Sequence, residues 1–181
     1  MRRRTTLTKL LDRISFYEWA YGRLAESDAD IGPVAEFLVG RLLKCLPVAR
    51  AMNSLFDLEL SDGKGGTVGI EVKSTTHKVK QQRGKVFDYE WHIRTQLACL
   101  KGERPLAPVW VFLAASFPEG KSDTPRFDVF DVRYWQVWVA TGEQIRSSGV
   151  RNRVAVTTLT RLGVQPIPLS DLPAAVKRIV G

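Results

Sequence analysis

Phe56-Asp57-Leu58-Glu59-Leu60-Ser61-Asp62-Gly63-Lys64-Gly65-Gly66-Thr67-Val68-Gly69-Ile70-Glu71-Val72-Lys73-Ser74 is the stretch that decides the fold class. Residues 56–60 alternate strictly between apolar and acidic, which is strand behaviour. Ser61 to Gly66 is a strong turn signal, and residues 67–74 alternate again, so the whole reads as a β-hairpin. Pairing about the glycine turn with Leu60 facing Val68 sets Asp57 opposite Glu71 and Glu59 opposite Gly69. Side chains two apart on a strand share a face. One face then holds Phe56, Leu58, Leu60, Val68, Ile70 and Val72 and must be buried. The other holds Asp57, Glu59, Glu71 and Lys73, with Gly69 leaving room between them.

Helical periodicity precedes the hairpin. Residues 7–26 repeat Leu10, Leu11, Ile14, Tyr17, Tyr21 and Leu24 at three- and four-residue steps. Gly32-Pro33 opens a second helix that runs to about Leu46 and stops before Pro47. After the hairpin, residues 75–88 are polar and basic and read as a loop or an extension of the hairpin. Residues 90–101 read as a helix, 108–116 as a buried strand, and 117–125 as a turn-rich loop. Strands are expected at 127–132 and 134–140, a short one at 153–157, and a closing helix at 171–180. This order predicts an α/β fold, a central mixed β-sheet flanked by helices. One domain is expected over 1–181: an N-terminal helical extension at 1–30, a core at 32–140, and a C-terminal strand and helix extension at 141–181.

The 181 residues are 44% hydrophobic and 25% charged, globular proportions that exclude a disordered tail or a coiled-coil rod. Lys and Arg number 27 against 19 Asp and Glu, a net charge of +8 that favours a polyanionic partner. Cys45 and Cys99 match no zinc spacing and read as buried reduced thiols, which fits a cytoplasmic protein. The basic start is followed by no long apolar run, unlike a secretory signal. The longest apolar run, 109–115, falls far short of the ~20 residues that span a bilayer, so no membrane partner is expected. Neither a P-loop nor an RRM aromatic signature is present.

Carboxylates converging on one sheet face repel each other, and something positive must offset them. Lys73 supplies one charge. A divalent metal would supply more, and hard oxygen donors suit Mg²⁺. Such ions clamp phosphodiesters and activate water. The bland alternative is a Glu71–Lys73 ion pair on an exposed strand, which contributes little to stability.

Asp57, a hairpin turn and Glu71-Val72-Lys73, preceded by a helix carrying Glu36, resemble the PD-(D/E)XK nuclease superfamily. The resemblance in element order covers about residues 32–140, and Phe56 stands where the motif's name has proline. It implies a restriction-endonuclease-like sheet and a Mg²⁺-dependent endonuclease acting on DNA, with Mn²⁺ as a substitute. Asp57 would be the metal-binding aspartate, Glu71 the second acidic ligand and Lys73 the catalytic lysine. The Val72 carbonyl would also face the metal. Glu36 would stand near it; otherwise it pairs with Arg41 or another basic group. Restriction enzymes of this size cut as two-fold homodimers, and a repair or junction nuclease is the other member of the class. The alternative outside it is a non-catalytic DNA-binding or interaction module on the same fold.

The stretch 73–85 carries Lys73, Lys78, Lys80, Arg83 and Lys85 without one acid, so it can neutralise DNA phosphates. Gln82 adds an amide for phosphate or base edges. Arg94 and Gln96 on the following element are candidates to support the site and contact DNA. His77 and His92 could touch phosphate. Trp110, Trp135 and Trp138 read as core.

Overall fold

A computed structural model describes residues 31–45, 56–75, 78–80, 86–115 and 132–181. The expected helix over 7–26, the loop over 117–125 and most of the strand over 127–132 lie outside them, as do Gln82, Arg83, Lys85 and His77.

Helix α1, Ile31–Leu43, begins at the Gly32-Pro33 signal and ends three residues earlier than its periodicity suggests. Lys44 takes a left-handed conformation (φ 58°), and the Cys45 amide reaches back to the Gly40 carbonyl at 2.9 Å. That six-to-one bond closes the helix end. The hairpin follows as β1, Leu58–Ser61, and β2, Thr67–Thr75. Its register is the expected one, with Leu58 opposite Ile70, Glu59 opposite Gly69 and Leu60 opposite Val68. Asp62 organises the turn: its Oδ1 accepts from the Lys64 and Gly66 amides at 2.8 and 2.9 Å. Gly63 and Gly65 supply the positive φ angles, 73° and 90°, that such a reversal requires.

The described part of the basic stretch after β2 neither stays a loop nor extends the β1–β2 hairpin; it contributes a strand to a separate sheet. β3, Lys78–Lys80, pairs antiparallel with β4, Val86–His92. The helix expected over 90–101 is corrected here. Tyr89, Trp91 and Ile93 alternate inward as strand residues do, all three buried. Only a short 3₁₀ turn at Arg94–Gln96 and one helical turn, α2 at Leu97–Leu100, follow. Aromatic and β-branched residues at a period of two outcompete the looser helical spacing.

β5, Val109–Ala115, is buried at every position and lies parallel to β2. A 3₁₀ turn, Val132–Tyr134, leads into β6, Trp135–Thr141, antiparallel to β5. Helix α3, Gly142–Ser147, starts on a capping box, with the Thr141 hydroxyl accepting from the Gln144 amide and the Gln144 side chain accepting from the Thr141 amide. The strand expected over 153–157 shortens to β7, Arg153–Ala155, and gives way to helix α4, Val156–Arg161. β8, Ile167–Pro168, and helix α5, Leu172–Val180, close the chain. The central sheet has five strands in the order β1-β2-β5-β6-β8, and β3-β4-β7 form a second sheet of three. The fold is therefore α/β with a mixed parallel and antiparallel sheet. Among the described residues no helix is long and apolar enough to cross a membrane.

Both faces of the central sheet are covered. Odd-numbered residues of β5 (Val109, Val111, Leu113) join Leu58, Ile70 and Val72 under α1 and α5. Even-numbered ones (Trp110, Phe112, Ala114) join Trp91, Ile93, Trp138, Val154 and Leu159 on the other side. The Trp91 indole N–H donates to the Leu113 carbonyl at 2.8 Å, which ties the second sheet to the first. Trp110, Trp135 and Trp138 are all core residues, and both cysteines are buried free thiols.

Candidate functional site

The polar face of the hairpin is not the open surface that alternation alone suggests. Trp110 and Phe112 stand beside Glu71 and Lys73 in register, and the second aromatic core covers that side of the sheet. Glu71 is 2% exposed and Lys73 17%. A carboxylate so far out of water requires charged or hydrogen-bonding partners. It has both. The Lys73 ammonium forms an ion pair with Glu71 Oε1. The Gln96 amide donates to the same oxygen at 2.7 Å. Gln96 reaches it because the chain leaves β4 through the 3₁₀ turn directly alongside β2.

Asp57 arrives from a bend before β1. Its amide donates to the Ile70 carbonyl at 3.1 Å, although Leu58 is the residue that pairs with Ile70. Two successive residues thus share one partner, as in a β-bulge, and the alternation of faces breaks there. Phe56, expected on the apolar face with Leu58, is corrected to the opposite one. Its ring lies over Gly69 and packs with the second core. A Cβ on Gly69 would lie 2.2 Å from that ring, so only glycine fits beneath it.

Val72 lies beyond the last paired residue of β1, so the β1 ladder does not take its amide. Asp57 Oδ2 takes it instead, at 2.8 Å. Asp57, Glu71 and Lys73 are therefore gathered about the three consecutive residues 71–73, where the β1 ladder stops.

Other candidates fall differently. Glu59 is exposed opposite Gly69. Glu36 is half-buried on α1, among residues that pack on the Val72 side of the sheet. Among the described residues no three His, Cys, Asp or Glu side chains form a metal-holding group. Lys78 and Lys80 lie on β3, one strand from β4. Arg94 is exposed at the start of the turn that carries Gln96.

One neighbour escaped the sequence reading. The buried Cys99 thiol is pushed up from its ordinary pKa by burial and, secondarily, by the negative charge of Glu71, with Arg104 opposing. Cys99 on α2 therefore stands near enough to Glu71 to feel its charge. No spacing in the sequence signals this, because Cys99 and Glu71 meet only through tertiary packing.

Compared with protein-family models, with curated proteins and with solved structures, the chain matches none.

Proposed function

We propose that this protein is a metal-dependent deoxyribonuclease that hydrolyses DNA phosphodiester bonds, of restriction or repair and junction type. The observation that carries the reading is the gathering of Asp57, Glu71 and Lys73 around Val72. Two carboxylates and a backbone carbonyl are hard oxygen donors of the kind Mg²⁺ takes, with Mn²⁺ as a substitute, so the residues present fit such an ion. Asp57, Glu71 and the Val72 carbonyl would hold it. When bound, it would supply Lewis acidity toward a phosphate oxygen and a more acidic water.

The chain's own groups do the rest. Gln96 holds the Glu71 carboxylate in one orientation. Lys73, anchored by Glu71, presents an ammonium to the phosphate oxygens or the attacking water. The aromatic core behind Glu71 excludes water from that side and strengthens each charge interaction. The net charge of +8 suits a DNA substrate.

The same contacts favour a second reading. Glu71, already matched by Lys73 and Gln96, could be a structural acid in a non-catalytic DNA-binding module. Plasmid nicking separates the two. Wild type is expected to nick supercoiled DNA in Mg²⁺ and not in EDTA, and Asp57→Ala and Lys73→Ala to lose at least a hundredfold in rate. Equal nicking by all three would mean a contaminating nuclease and leave no case for this site.

A further inference from the structure

The second sheet brings together cations from distant parts of the chain. β4 and β7 pair antiparallel, with Trp91 opposite Val154 and His92 opposite Arg153. Trp91 and Val154 are fully buried, so the alternate positions Glu90, His92 and Arg153 stand on the outer face. The Ile93 amide donates to the Asn152 carbonyl at 2.9 Å, which carries the register one step on. Arg94 and Arg151 flank that bond on their own segments, Arg94 as the first residue of the 3₁₀ turn. His92, Arg94, Arg151 and Arg153 are all exposed.

In the segment of β4 paired with β7 the acid is Glu90, whose carboxylate takes Arg153 at 2.9 Å; Asp88 is a second acid earlier on β4. Among the described residues, His92, Arg94 and Arg151 have no ion-pair or side-chain hydrogen-bond partner. Guanidiniums crowded at one end of a ribbon repel, and a polyanion relieves that repulsion. Arginine forks also match phosphate oxygens in pairs. Arg94 stands two residues before Gln96, whose amide holds Glu71, so the ribbon borders the candidate site.

We propose that the outer face of the β4–β7 ribbon, through His92, Arg94, Arg151 and Arg153, binds the phosphate backbone of a DNA strand and leads it to Glu71. The identity of that strand as substrate rests on the nuclease reading; the binding does not.

The test is anisotropy of a fluorescein-labelled DNA duplex with the full chain, in EDTA, from 50 to 200 mM salt. No cleavage runs there, so either reading can fail without the other. Each lost phosphate contact is expected to flatten the log–log salt slope by about 0.9. Arg94→Gln/Arg151→Gln should flatten it by about 1.8 and weaken binding at least tenfold at 100 mM salt. Arg151→Gln alone should give half the slope change. Lys177→Gln/Arg178→Gln removes the same charge from α5, on the other side of the central sheet, and should stay within twofold of wild type. The proposal is overturned by wild type that does not bind, or by a ribbon variant that binds as wild type does. Equal loss in the α5 variant also overturns it, as does displacement of the DNA by poly-glutamate at equal charge.

Discussion

Gly69 shows how one missing side chain shapes the site. The Phe56 ring occupies the space a Cβ would need, and that packing holds the bend from which Asp57 reaches Val72. Gly69→Ala forces the ring to move. Overpacking of this kind costs about 1–3 kcal/mol, and urea unfolding should show that loss. Phe56→Leu in the same chain should recover part of it. Of the candidate site, the shared face of Glu71 and Lys73 was legible in strand alternation, whereas the expected place of Asp57 opposite Glu71 was not kept, because the bulge pairs its amide with Ile70. The face of Phe56 was not legible, since a bulge leaves no mark in the residue pattern. Nor was the burial of Glu71, which depends on aromatic residues of β4 and β5 arriving from elsewhere.

Cys45 belongs to this scale too. Burial pushes its thiol up to about 11, with its own backbone hydrogen bond opposing. The unfolded thiol gives up its proton near 9.0, so between those values the unfolded state holds fewer protons than the folded one. The stability this contributes is complete below 9.0 and is lost as pH rises toward 11. The loss is at most about 1.4 kcal/mol per pH unit in that window. Urea midpoints from pH 8 to 10.5 should fall more steeply for wild type than for Cys45→Ala. Parallel slopes would contradict the burial of this thiol.

At the level of elements, α1 stops where Lys44 turns left-handed, and a residue with a Cβ is strained there. Lys44→Gly should stabilise the protein by about 0.5–1 kcal/mol, read from thermal or urea unfolding. Unchanged stability would mean that the helix end is held by something other than this turn. The elements that sequence reading recovered are those with a single clear period: α1, the β1–β2 hairpin, β5, β6 and α5. Residues 90–93 misled because Ile93 and Leu97 stand four apart and so join the strand's end to a helical spacing. α3 carried a readable signal in Thr141-Gly142-Glu143-Gln144, the capping box, but its two turns are too short to show a period. β3 and β7, three residues each, gain their identity from pairing with β4.

For the whole molecule, the central sheet acts as a partition. One side is closed by α1 and α5, and the other by the second sheet with α2, α3 and α4. β2 lies at the boundary: past the last β1 pairing its Val72 amide turns to a carboxylate, while its Glu71 side chain points under the aromatic cover. This placement joins a low-dielectric wall to the end of the β1 ladder, and both come from the order in which the strands are laid down. The basic surplus is a property of the chain as a whole, legible from composition, but the meeting of His92 and Arg153 across the β4–β7 ribbon emerges only with the fold.

The most direct measurement is to soak crystals of the protein in Mn²⁺ and locate the ion by its anomalous scattering. The account predicts a peak within about 2.5 Å of carboxylate oxygens of both Asp57 and Glu71, absent from Asp57→Ala crystals. Manganese bound elsewhere, with those two carboxylates empty, would contradict it.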